Sequence, residues 1–180
     1  MKPPVLQDIF NEALSHRAKH ECGGYPYEYG NILTALVAAS KAENILEFGT
    51  GLGYTTICMA LGNPDAHIDT IDRDESHLKI ARDNWKKFAI EHQISVHFGK
   101  AEAIIPEFNH QYDLIFFDGY APSLKFLDHY DRLLKIGGTL VTANLFVKDP
   151  KGGKYLRALN RGDKWHTGVF ADTAISVKRY

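Results

Sequence analysis

Ile45-Leu46-Glu47-Phe48-Gly49-Thr50-Gly51-Leu52-Gly53-Tyr54-Thr55-Thr56 decides how this chain folds. A short apolar run passes into three alternating glycines and then into a segment with helical spacing, which reads as a buried strand, a tight loop and a helix start. Glycine permits positive φ and removes the Cβ that would hold a ligand off the main chain, while the first turn of a helix offers unpaired N–H donors. The same residues could equally form an ordinary strand-to-helix turn. Their spacing argues against a dinucleotide, because that fingerprint needs glycine at the sixth position from Gly49, where Tyr54 stands.

Outward from this loop, apolar runs alternate with longer amphipathic segments, as in a parallel sheet covered by helices on both faces. Strands are expected at 45–48, 67–71, 95–98, 114–117 and 139–142. Helices fill the gaps, the clearest over 75–91, with Leu78, Ile80, Ala81, Trp85, Phe88 and Ala89 on the core face and Arg82, Lys86 and Lys87 outside. The glycine pair Gly137-Gly138 reads as a turn between helix and strand. Trp165 to Phe170 and Thr173 to Lys178, joined by Ala171 and Asp172, read as an antiparallel hairpin. Ahead of the sheet, Val5, Leu6, Ile9, Phe10, Ala13 and Leu14 mark one amphipathic helix after Pro3 and Pro4, ending before Gly23 and Gly24, and 29–40 a second. The expected fold is α/β, a doubly wound, Rossmann-like, mostly parallel seven-stranded sheet with a C-terminal antiparallel hairpin and N-terminal helices. The 180 residues, 44% of them hydrophobic, suit one domain, with 1–42 as the helices and 43–180 as the core.

Lys and Arg number 21 against 22 Asp and Glu, so no broad basic surface prompts nucleic acid as a partner. Cys22 and Cys58 show no metal-ligand spacing, and a reducing cytoplasm is the expected compartment. Met1 to Phe10 carries no apolar signal region, so neither secretion nor membrane insertion is expected.

Two carboxylates stand at later strand ends. Asp72 follows the second strand about twenty residues beyond the loop, where an acid can bind a ribose diol or, like Asp74, cap the next helix. Asp118 ends a fully apolar strand beside the glycines, where a cationic partner would offset its burial, unless it only opens a turn.

Glu47-x-Gly49-x-Gly51-x-Gly53 resembles the motif of class I S-adenosylmethionine-dependent methyltransferases. From about residue 26 to 147 the order of motifs resembles the small O-methyltransferases related to catechol and caffeoyl-coenzyme A methyltransferases. The resemblance implies S-adenosyl-L-methionine as cofactor, held by Glu47, Gly49, Thr50, Gly51, Gly53, Tyr54 and Thr55, with Asp72 and Arg73 at the ribose. It places the adenine near Ala101 and Glu102, and the methionine end or a metal at Asp118. In those relatives an Asp-Asn pair after the fifth strand completes a divalent metal site, and a lysine lies three residues beyond the metal aspartate. Here Ala143-Asn144 and Ala121 stand instead, so that mechanism is not carried over, and only Asp118 and Asn144 would remain of the metal site.

The function expected is O-methylation of a small aromatic or hydroxylated acceptor. Alternatives are an N-methyltransferase for a small molecule, protein or RNA, a cofactor-binding protein that has lost catalysis and, weakest, a dehydrogenase. Asp118 and Tyr120 are the catalytic candidates, with Lys125, His129 and His166 as further groups that could face the cleft. His16, His20, His77, His92 and His110 read as surface residues. The stretch 22–30, with Tyr25, Tyr27 and Tyr29, reads either as an aromatic acceptor wall or as a packed loop. The resemblance further implies a homodimer to which the first helix could contribute.

Overall fold

A computed structural model describes residues 5–20, 22, 25–150 and 152–180. Pro3, Pro4, Gly23 and Gly24, the suggested limits of the first helix, lie outside them. Seven strands form one sheet: β1 (Asn44–Phe48), β2 (His67–Asp72), β3 (Ile94–Phe98), β4 (Tyr112–Phe117), β5 (Leu134–Thr142), β6 (Trp165–Phe170) and β7 (Thr173–Lys178). Their order is β3-β2-β1-β4-β5-β7-β6. The first five run parallel, while β7 is antiparallel to both β5 and β6. This is the doubly wound sheet with a terminal hairpin that the sequence implied, and strand order reverses between β1 and β4. Ligands in such sheets bind at that reversal, beyond the carboxyl ends of the strands.

The helices are α1 (Leu6–His20), α2 (Gly30–Ser40), α3 (Tyr54–Gly62), α4 (Glu75–Phe88), α5 (Ala101–Ile104), α6 (Leu127–Leu133) and α7 (Gly153–Leu159). Alternation along β1 divides the core. Ile45 joins Leu33, Val37, Ile57 and Trp85 on one face, while Leu46 and Phe48 join Tyr130, Leu134 and Leu140 on the other. On α1 the buried side chain is Ile9, helped by an edge-on contact of Phe10 with Tyr54 at 5.2 Å. Leu14, expected on the packed face, is exposed. No helix among the described residues is long and apolar enough to cross a membrane.

Two further expectations need correction. Helix α4 stops at Phe88 because Ala89 adopts a left-handed conformation, φ 56°, and its N–H turns back to Lys86 and Trp85. Ala89 is therefore an exposed cap rather than a core residue, and Asn84 and His77 fill the buried face instead. The Gly137-Gly138 pair lies inside β5, where the pairing with β4 jumps from Tyr112–Leu134 to Leu114–Thr139. Gly137 has φ 81°, so the pair forms a bulge rather than a turn.

The hairpin is tied to the body by Lys178. Its buried ammonium donates to the carbonyls of Asp131 and Leu134 at 2.5 and 3.0 Å and lies 3.3 Å from the Asp131 carboxylate. Hydrogen bonds to a charged group are worth more than neutral ones, so Lys178→Ala should lower stability by about 2–4 kcal/mol in urea unfolding. A loss within experimental error would show that the hairpin is held by its ladder alone.

Candidate active site

The loop after β1 is shaped by what its glycines meet. A Cβ on Gly49 would lie 2.6 Å from the Asp118 carbonyl oxygen, and one on Gly53 would lie 2.4 Å from Nε1 of Trp85. With φ of 93° and 83°, these two positions demand glycine for packing and for conformation. Gly51 differs: at φ 51° its missing Cβ faces open space, with no described atom within 4 Å. That space is a cleft of about 760 Å³ above β1 and β4, walled by Gly49 to Leu52, Tyr54, Thr55, Asp72, Asp118 and Asn144.

Beneath the loop, Glu47 is fully buried. Its carboxylate accepts hydrogen bonds from Thr55 at 2.5 Å, Thr56 at 2.6 Å and Thr70 at 2.6 Å, and Thr50 pairs with Thr70 at 2.7 Å. The start of α3, β2 and the loop are thus fastened to one side chain. Burial pushes its pKa up to about 7 against the pull of the three hydroxyls, with Asp72 adding to the rise.

Asp72 braces the loop from the neighbouring strand end, accepting the Gly51 N–H at 2.8 Å and the Asp74 N–H at 2.9 Å. Capping of α4 falls to Asp74, which accepts from the Ser76 and His77 amides. Asp118 lies across the cleft and is partly open to it. Burial first, then Glu47, raise its pKa, while a bond from Asn144 opposes the rise. That bond runs from Nδ2 of Asn144 to Oδ1 of Asp118 at 3.0 Å, and the same amide donates to the Gly119 carbonyl at 2.9 Å. Both partners are acceptors, so the amide presents N–H and not oxygen to the carboxylate.

Of the expected site residues, the loop, Asp72, Arg73, Asp118, Tyr120 and Asn144 all reach this cleft, Tyr120 as an exposed lip. Gly53 stands behind the loop rather than in the wall. Ala101 and Glu102 form the first turn of α5, and neither they nor Lys125, His129 and His166 are among the residues that wall the cleft. Tyr25 and Tyr27 line the cleft, whereas Tyr29 packs between Tyr27 and Phe170. A second recess of about 260 Å³ adjoins the first across Asp118 and Asn144, bounded by these tyrosines, Ala171 and Asp172.

Three histidines read as surface residues prove to be part of the cleft wall: His16 and His20 on α1, and His77 on α4. His77 is buried, 7% exposed. Burial, then His77 and His20, lower the pKa of His16. The spacing of His16 and His20, one helical turn apart with Cys22 just beyond, was the available signal; the approach of His77 is a product of the fold. His110 is exposed, as expected, and with His97 and Tyr112 it reaches the buried Asp69 carboxylate.

Residues 2–150 match the model of the O-methyltransferase family. A catechol O-methyltransferase of Niastella koreensis is 31% identical over 129 residues, 68% of this chain and 58% of the relative. A Staphylococcus aureus protein provisionally named a caffeoyl-CoA O-methyltransferase superposes with a TM-score of 0.78 at 26% identity, over 94% of this chain and 91% of that one. An O-methyltransferase from Bacillus cereus, solved with S-adenosylhomocysteine, shares the fold at a TM-score of 0.78 and 20% identity, over 99% and 93% of the two chains. The chain spans about three fifths of the length of the curated relatives it matches.

The buried carboxylate predicts a pH effect of unusual sign. Folding raises the Glu47 pKa from 4.5 to about 7, so the native state holds this proton more tightly than the unfolded chain. Its contribution is complete at low pH and is lost as pH rises through that interval, by at most about 3 kcal/mol. Unfolding of the ligand-free protein should show this fall relative to Glu47→Gln; a difference between the two proteins that is flat with pH would contradict it.

Proposed function

Because the chain belongs to the O-methyltransferase family, we propose that it uses S-adenosylmethionine to methylate a hydroxyl on a small aromatic or otherwise hydroxylated acceptor. The observation that carries the proposal is the open side of Gly51, a cradle that a Cβ would fill, set between the carboxylates of Asp72 and Asp118. The cleft volume of about 760 Å³ lies within the range of small-molecule sites. Asp72 spends one bond per oxygen on the loop, which leaves lone pairs for a ribose diol. Gly49, Thr50, Gly51, Tyr54 and Thr55 supply the backbone wall, with Glu47 and Gly53 fixing it from behind, and Arg73 flanks the ribose end. Asp118 offers its carboxylate to the cationic end. Ala101 and Glu102 take no part in this reading. Free thiols at Cys22 and Cys58 suit a cytoplasmic setting.

The hard-cation site of catechol-type relatives does not fit these residues. Ala143 has no donor, and Asn144 turns N–H toward Asp118, so a single carboxylate would have to do the work of several oxygens. Catalysis then rests on placement. S-adenosylmethionine, when bound, supplies a methyl group on a sulfonium. The chain's task is to hold the acceptor oxygen in line with that carbon and to keep water out. The recess beyond Asp118, walled by Tyr25, Tyr27, Tyr29 and the Ala171-Asp172 turn, suits one substituted ring. Shared by both recesses, Asp118 is the side chain to accept the hydrogen bond of the acceptor hydroxyl, with Tyr120 at the entrance.

Calorimetry should find one S-adenosylhomocysteine bound per chain, and Gly51→Ala should weaken it by at least about tenfold, roughly 1.4 kcal/mol. Unchanged affinity in that variant would remove the cradle from the account. With a catechol or related acceptor, the rate should be insensitive to added magnesium. Magnesium activation of about tenfold or more, equivalent to roughly 1.4 kcal/mol of barrier, would restore the cation mechanism.

A further inference from the structure

His16 and His20 project from one face of α1, a turn apart, Cys22 follows the end of that helix, and His77 rises from the first turn of α4. One donor atom from each lies within 4.8 Å of the others. The three imidazole rings are mutually packed, with centroids 4.7, 5.1 and 5.6 Å apart. Packing alone leaves a debt of hydrogen bonds: Nε2 of His16 and Nε2 of His77 are buried with no hydrogen-bond partner among the described residues. The His77 side chain is 9% exposed, and the Asp74 carboxylate, at 3.7 Å, is beyond hydrogen-bond reach. Buried imidazole nitrogens left unpaired are costly and rare.

We propose that His16, His20, Cys22 and His77 form a site for a zinc-class transition-metal ion, separate from Asp118 and independent of the methyl-transfer reading. The donor chemistry selects the ion. Three imidazoles and one thiolate suit Zn²⁺ and its first-row neighbours, whereas magnesium and calcium require oxygen. Bonds of about 2.0–2.3 Å place tetrahedral donors roughly 3.3–3.8 Å apart, so small side-chain rotations close the cluster. Asp74 adds negative charge beside His77. All four ligands also line the cleft near Asp72 and Arg73, so the ion would clip α1 to α4 across the mouth above Asp72. Binding such an ion to the folded state alone raises stability by mass action.

The test uses full-length, tag-free, reduced protein stripped of metal and titrated with Co²⁺, then with Zn²⁺. The expected result is one Co²⁺ per chain with the strong visible absorption of a tetrahedral site and a thiolate charge-transfer band, both abolished by Zn²⁺. Zn²⁺ should also raise the thermal midpoint. Cys22→Ser should erase the charge-transfer band, and His77→Ala should weaken Co²⁺ binding by about tenfold or more. Asp118→Asn should leave the cobalt spectrum unchanged. No stoichiometric binding, a weak octahedral spectrum, a band that survives Cys22→Ser, or a spectrum lost in Asp118→Asn would each overturn the proposal. Should His77→Ala fail to fold, the Cys22→Ser and Asp118→Asn spectra still decide it.

Discussion

A carboxylate sealed from water governs the shape of the cleft. Glu47 occupies the β1 position where alternation calls for an apolar side chain, and its two oxygens collect hydroxyls from α3 and β2. Such a group is tolerated only when its acceptor capacity is met. Meeting it ties β1 to the first turn of α3 through a loop in which Gly49, Gly51 and Gly53 each adopt positive φ. The exposed backbone at Gly51 follows from that constraint, and Asp72 reinforces it by gripping the Gly51 N–H.

The second carboxylate, Asp118, answers a different problem. It follows a strand buried on both faces, opposite the loop, and its side-chain partner is the amide of Asn144, a residue held in a left-handed conformation with φ 62°. The amide restrains the carboxylate without neutralising it. A site arranged in this way has charge to offer a cation or a hydroxyl but too few oxygens to hold a hard metal ion. Around it, the N-terminal segment and the hairpin turn roof the two recesses, so the parts of the chain most distant in sequence share the acceptor side.

Much of this is legible in the sequence. The seven strands declare themselves through short apolar runs and β-branched residues, and the glycine spacing with Asp72 marks the cleft, because these signals are local. Where local signals compete, reading fails. Ala89 continues the helical periodicity of α4, yet Ile90 must turn inward and forces the left-handed stop. Gly137-Gly138 resembles a turn because a bulge inside a strand asks for the same backbone freedom. Ala101 and Glu102 rest on resemblance alone, and they form the first turn of α5. The histidine cluster needed α1 and α4 to meet, a contact that no single segment encodes.

A crystal structure with S-adenosylhomocysteine bound is the most direct measure of the account. The ligand should run along Gly49 to Gly51 against bare backbone, its ribose hydroxyls on Asp72 and its amino-acid end toward Asp118. Density for the ligand elsewhere, or side chains occupying the space beside Gly51, would contradict it.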